Sequence, residues 1–124
     1  MTVLVAYNET PQGKAAFAAA VEESERRETN LVALVLTPQP NDAPIPSQLG
    51  ALISAHGKDV DVSFRSDKID VADAILDHAE RIDAEIIVLG ARKRTPVGKF
   101  LLGSTTQRIL LDASVPVLVI KAGE

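Results

Sequence analysis

Five short apolar runs, separated by stretches with helical spacing, set the strongest limit on what this chain can fold into. They are TVLVAY (2–7), NLVALVLT (30–37), DVDVSFR (59–65), EIIVLG (85–90) and VPVLVIK (115–121). The runs at 2–7, 30–37 and 85–90 are almost continuously hydrophobic, as parallel strands covered on both faces must be. DVDVSFR instead alternates strictly, with Val60, Val62 and Phe64 on one side. That is the pattern of a strand at a sheet edge.

The intervening stretches carry helix punctuation. Thr10 and Pro11 offer an N-cap and a proline at the first helical position. Phe17, Ala20, Val21 and Ser24 then recur at helical spacing. PQPNDAPIP (38–46) holds four of the seven prolines and excludes regular structure. A short helix is expected from Ser47 to about His56. Asp70 caps another, whose inner face is Val71, Ala74, Ile75, Ala79 and Ile82. Ser104 to Gln107 spell a Ser-x-x-Gln capping box for a last helix ending near Asp112. Pro116 sits at the start of the final strand, where a missing N–H is tolerated.

Alternating strands and helices predict an α/β domain with right-handed crossovers and helices on both faces of the sheet. The continuous first strand belongs in the middle and the alternating third strand at an edge. An open five-stranded parallel sheet of order 3-2-1-4-5 fits both, as one domain over 1–124.

Composition closes several routes. With 124 residues the chain can bury a core without staples. No cysteine is present, which excludes disulfides, thiolate metal sites and cysteine nucleophiles. Aromatic residues make up 3% and the formal net charge is −4, against nucleic-acid binding by stacking or by a basic surface. The Val3–Tyr7 run is too short for a signal peptide or membrane span, so the default location is cytoplasmic, with no membrane partner.

Against that acidic background, residues 86–111 hold five cations and no carboxylate: Arg92, Lys93, Arg94, Lys99 and Arg108. A strand ending in Gly90, a basic loop and the helix start at Gly103–Ser104–Thr105 together make a place for an anion. In open parallel sheets, ligands sit beyond the carboxyl ends of strands where the strand order reverses. For order 3-2-1-4-5 that point lies between Tyr7 and Gly90, with Asn8, Glu9 and Thr10 on one side and Arg92, Lys93 and Arg94 on the other. Plainer readings stand beside this one. Gly90 and Gly103 also serve as turn residues, Ser104 as an N-cap, and the cations as a solvated loop.

His56 reads as a helix end beside Gly57, and His78 as a packed or boundary histidine. No metal-ligand cluster, nucleophile elbow, Walker A spacing or Gly-x-Gly-x-x-Gly appears. The expectation is a binding protein with no catalytic residue and no metal site.

The segments VLVAYNETPQGKAA, EIIVLGARKRTPVGKFLLGST and QRILLDASVPVLVIK resemble the universal stress protein family, and the resemblance extends over the whole chain. It implies a fold akin to that of adenine nucleotide hydrolases and a homodimer paired through the last strand, Val115 to Lys121. It also implies a stress-response regulator or sensor that binds ATP or another adenine nucleotide, with Mg2+ only as the nucleotide's companion. The family's Gly-x2-Gly-x9-Gly-Ser/Thr pattern matches at Gly90, Gly103 and Ser104, but Lys93 replaces the middle glycine. Asn8 replaces the family aspartate after the first strand. Carried over residue by residue, Gly90, Gly103, Ser104 and Thr105 offer backbone donors to phosphates. Arg92, Lys93, Arg94 and Lys99 neutralise them, and Asn8 with the backbone of Val35 holds the adenosine. Lys93 and Asn8 leave a second reading open: a dimeric module that recruits a protein and binds no nucleotide. Slow ATP hydrolysis is a third, for which no general base stands out.

Overall fold

The computed structural model describes residues 2–40, 42–57, 59–92 and 103–122, with Arg92 described in its backbone only. The element order is β1 (Thr2–Tyr7), α1 (Pro11–Arg26), β2 (Asn30–Val35), α2 (Ser47–His56), β3 (Val60–Phe64), α3 (Val71–Arg81), β4 (Ala84–Arg92), α4 (Ser104–Asp112) and β5 (Val117–Ala122). The strands form one parallel sheet in the order β3-β2-β1-β4-β5. The strand order therefore reverses between β1 and β4.

Alternation along the central strands divides the core into two layers. Val3, Val5 and Tyr7 of β1 face α1 and α2, packing with Phe17, Val21 and Leu49. Leu4 and Ala6 face α3 and α4, packing with Ile75 and Ile109. Both layers are built from buried apolar side chains, and burying one such as Leu4 or Phe17 contributes about 2 kcal/mol. β3 is an edge strand, and Val60, Val62 and Phe64 lean on the α1–α2 layer as their alternation requires.

Helix heads follow the sequence with one exception. Thr10 Oγ1 accepts from the Gly13 N–H at 3.1 Å, and Asp70 accepts from the Ala72 N–H at 3.1 Å. The capping box at 104–107 does not form as expected. Gly103 is the N-cap of α4 and no side chain caps it, because Ser104 has already turned into the helix.

Several strand limits also differ. β2 ends at Val35 rather than residue 37, since the chain leaves the sheet for Pro38 after the Leu36 N–H bonds the Tyr7 carbonyl at 2.8 Å. β4 does not end at Gly90. It continues to Arg92, with Ala91 opposite Lys121 and Arg92 opposite Ala122. β5 begins at Val117, one residue after Pro116.

Candidate functional site

A cleft of ≈ 480 Å³ opens beyond the carboxyl ends of β1 and β4, on the face covered by α3 and α4. Its apolar surface comes from Ala6, Leu36, Leu89, Val71, Ile75 and Ile109. Its polar groups are Asn8, Gln12, Thr37, Arg65, Thr105 and Thr106. Arg65 is the one charged residue among the lining residues described, with no Asp, Glu or His beside it.

Two glycines let the backbone close around this mouth. A Cβ on Gly13 would lie 2.0 Å from the Asn8 carbonyl oxygen and 2.6 Å from Asn8 Oδ1. A Cβ on Gly90 would lie 2.2 Å from the Gln12 carbonyl oxygen. The first turn of α1 therefore rests directly on the ends of β1 and β4. Gly90 works here as a contact surface within β4, not as a strand terminator.

Asn8 is held by its neighbour. The Thr10 hydroxyl donates to Asn8 Oδ1 at 2.6 Å while accepting from the Gly13 N–H. Because the amide oxygen is engaged, the Asn8 NH2 is the part left to face a ligand. Glu9 turns away from the cleft. Its Oε2 accepts from the Gln48 N–H at 3.1 Å, satisfying the head of α2 where Pro46 supplies no cap. Tyr7 donates to the same oxygen at 3.5 Å, and burial, then the Glu9 charge, push the phenol up to about 12.

Opposite Asn8, Thr105 and Thr106 bring the uncapped head of α4 to the cleft wall. Its first N–H groups have no side-chain cap among the described residues and favour an anion there. Arg108, further along α4, reaches the head of α3: it bonds Asp73, lies 3.3 Å from Asp70 and 3.5 Å from Asp112. These exposed pairs tie together the two helices that wall the cleft. Arg108 is thus occupied with carboxylates and is not a cleft cation.

The structure brings Asn8, Gly90 and Thr105 to one cavity and sets Gly103 at the head of α4. Ser104 is exposed and is not among the cleft-lining residues. Val35 points into the other layer, and its carbonyl accepts from the Arg65 N–H at 2.9 Å. Leu36, not Val35, borders the cleft from β2. Lys93, Arg94 and Lys99, and the side chain of Arg92, lie outside the described residues.

Sequence reasoning missed Arg65, Gln12, Gly13 and Thr106. The rule that ligands lie beyond strand ends, applied to β3, points at Arg65, the first residue after that strand. Both histidines are away from the site. His56 ends α2, with its ring 5.9 Å from that of Phe17. His78 on α3 keeps Nε2 buried without a partner among the described residues, and burial lowers its pKa. Among the described residues no cluster of potential metal ligands occurs, and no helix is long and apolar enough to cross a membrane.

Comparison with known proteins agrees with this architecture. The profile of the universal stress protein family matches residues 1–121. A universal stress protein of Mycolicibacterium smegmatis is 36% identical over 127 aligned positions, covering 96% of each chain. A universal stress protein structure from Archaeoglobus fulgidus superposes with a TM-score of 0.80 at 26% identity, covering 98% of both chains. A second from that organism, in complex with dAMP, has a TM-score of 0.74 at 21% identity over 98% of both chains.

Proposed function

This chain belongs to the universal stress protein family, and on that premise we propose that it is a stress-response regulator or sensor that binds an adenine nucleotide in the cleft beyond β1 and β4. One observation carries the reading. The cleft lies at the reversal of strand order and pairs an apolar surface with the uncapped head of α4. An apolar cavity with a few convergent polar groups is how small-molecule sites are built, and a helix head is where a phosphate is held. The dAMP bound by the Archaeoglobus fulgidus neighbour is a ligand of this kind.

In this reading the base lies against Leu36, Val71 and Ile75, Asn8 donates to the nucleoside, and the N–H groups at Gly103–Thr105 receive a phosphate. Arg92 at the end of β4, with Lys93, Arg94 and Lys99 in the sequence that follows, adds charge, and Mg2+ enters only with a polyphosphate. The protein acts by binding. No carboxylate or histidine among the described lining residues stands ready to activate water, which leaves slow hydrolysis without a side-chain base.

Thermal shift and calorimetry with ATP, ADP, AMP and cyclic AMP test the reading. A rise in melting temperature with micromolar to millimolar affinity supports it, and no response to any of the four overturns it. β5 is an edge strand whose Val117–Ile120 stretch is half-buried, which supports pairing with a second copy through this strand. Native mass spectrometry checks the dimer and any co-purified nucleotide together. A dimer that carries and accepts no nucleotide favours the protein-recruiting alternative.

A further inference from the structure

Arg65 is a cation whose partners among the described residues are all neutral. Its Nε donates to the Leu36 carbonyl at 2.7 Å, and one Nη donates to the Ile69 carbonyl at 2.7 Å and to the Ser66 carbonyl at 3.4 Å. No carboxylate among the described residues lies within ion-pair distance of it. The other Nη, with two hydrogens, has no partner among the described residues, and the side chain lines the cleft. Carbonyl dipoles stabilise a half-buried guanidinium but leave its net charge uncompensated, so an anion at the second Nη still gains a charge-assisted hydrogen bond.

Three acceptors around the cleft are already engaged. The Val35 carbonyl takes the Arg65 N–H at 2.9 Å, and the Leu36 carbonyl takes its guanidinium. Asn8 Oδ1 takes the Thr10 hydroxyl. What remains at the β3 side to face a ligand is one charged donor, the second Arg65 Nη, with the exposed Thr37 also on the cleft wall. The head of α4 presents donors on the far side. From β3 to β4 is three strand spacings, on the order of 14 Å, with an apolar surface between.

We infer that the cleft is built for a ligand acidic at both ends, with Arg65 binding a second phosphate remote from the one at the head of α4. This rests on the nucleotide reading and narrows it to a nucleoside carrying phosphates at two separate positions. Such a ligand lays its base on the apolar surface and meets donors in both directions.

Calorimetry of the full chain with AMP, adenosine 3′,5′-bisphosphate and GMP provides the test. The expected result is at least tenfold tighter binding of the bisphosphate than of AMP. Arg65→Gln should lower bisphosphate affinity at least tenfold more than it lowers AMP affinity, and Arg65→Lys, which keeps the charge, should recover part of the difference. Circular dichroism confirms that each variant is folded. If Arg65→Gln does not fold, salt titration of the wild-type chain decides: the bisphosphate should lose affinity more steeply than AMP. Equal affinity for AMP and bisphosphate overturns the second phosphate while leaving the nucleotide reading intact. GMP binding more tightly than both shows that the donors read a base edge, which also overturns it. No binding of any of the three removes both readings.

Discussion

The α-carbon of Gly90 faces the backbone carbonyl oxygen of Gln12 so closely that a methyl group there would sit 2.2 Å from it. The obstacle is main chain, which cannot rotate aside as a flexible side chain can. Gly90→Ala must therefore push the first turn of α1 off β4. Overpacking of this kind costs about 1–3 kcal/mol, and urea unfolding should place the variant in that range. Gly50→Ala is the opposite case. Gly50 lies inside α2 and its added methyl meets only Ile45 Cγ2 at 4.0 Å. Removing a mid-helix glycine should stabilise the chain by about 0.5–1 kcal/mol. A destabilised Gly50→Ala variant or a neutral Gly90→Ala variant would contradict this packing.

Tyr7 is the single tyrosine, so tyrosinate absorbance reports on it alone. Its pKa is raised from 10.0 to about 12 by burial first and by Glu9 second. In the folded protein the ultraviolet titration should show its midpoint near the higher value. Glu9→Gln removes the charge but not the burial, so the midpoint should fall without returning to 10. The sign for stability follows. Between the two values the unfolded chain has released a proton that the folded chain keeps, so stability falls as pH rises from about 10 to 12. A folded-state midpoint at the ordinary phenol value would mean that Tyr7 is open to water.

Most of the architecture was legible because periodicity and turn chemistry agreed. TVLVAY could only be a doubly covered strand, DVDVSFR only a one-sided edge, and Thr10–Pro11 supplied a start signal. Strand ends were less legible where main-chain pairing decides them. Gly90 looked like a terminator because glycine breaks patterns, yet β5 offered partners for Ala91 and Arg92, and pairing prevailed over propensity. The site was half legible. Strand order and the helix head pointed at Asn8, Gly90 and Thr105, which line one cleft. Arg65 escaped notice because it read as the tail of DVDVSFR; its importance comes from the carbonyls of Leu36 and Ile69 folding around it, a tertiary fact. Glu9 carries a charge that would oppose an anion at this mouth, but α2, a distant element, claims its carboxylate.

His78 makes the acid side of the stability profile testable. Burial first and the Arg81 charge second lower its pKa. The unfolded chain takes up a proton near pH 6.5 that the folded chain refuses until lower pH. Stability should therefore decline as pH falls below about 6.5. His78→Leu should flatten that decline, read from urea midpoints at pH 7 and pH 5. A decline equally steep in the variant would assign the acid sensitivity to other groups.

Thr10 joins stability to recognition through a single hydroxyl. Its oxygen accepts from the Gly13 N–H, capping α1, and its hydrogen goes to Asn8 Oδ1. Thr10→Ser keeps both bonds and should match the parent. Thr10→Ala loses both: the missing cap costs about 1 kcal/mol, and the Asn8 amide becomes free to rotate. Thr10→Asp separates the two roles. A carboxylate caps the helix as well as a hydroxyl does, so stability should stay within about 0.5 kcal/mol of the parent. It has no hydrogen to give, however, so Asn8 must turn its NH2 toward the cap and its oxygen toward the cleft. Nucleotide affinity should fall in Thr10→Asp although the fold is intact, and high salt should not restore it, because the loss comes from an inverted amide as well as from added charge. Full recovery in salt would show that Asn8 faces the ligand the same way in both proteins.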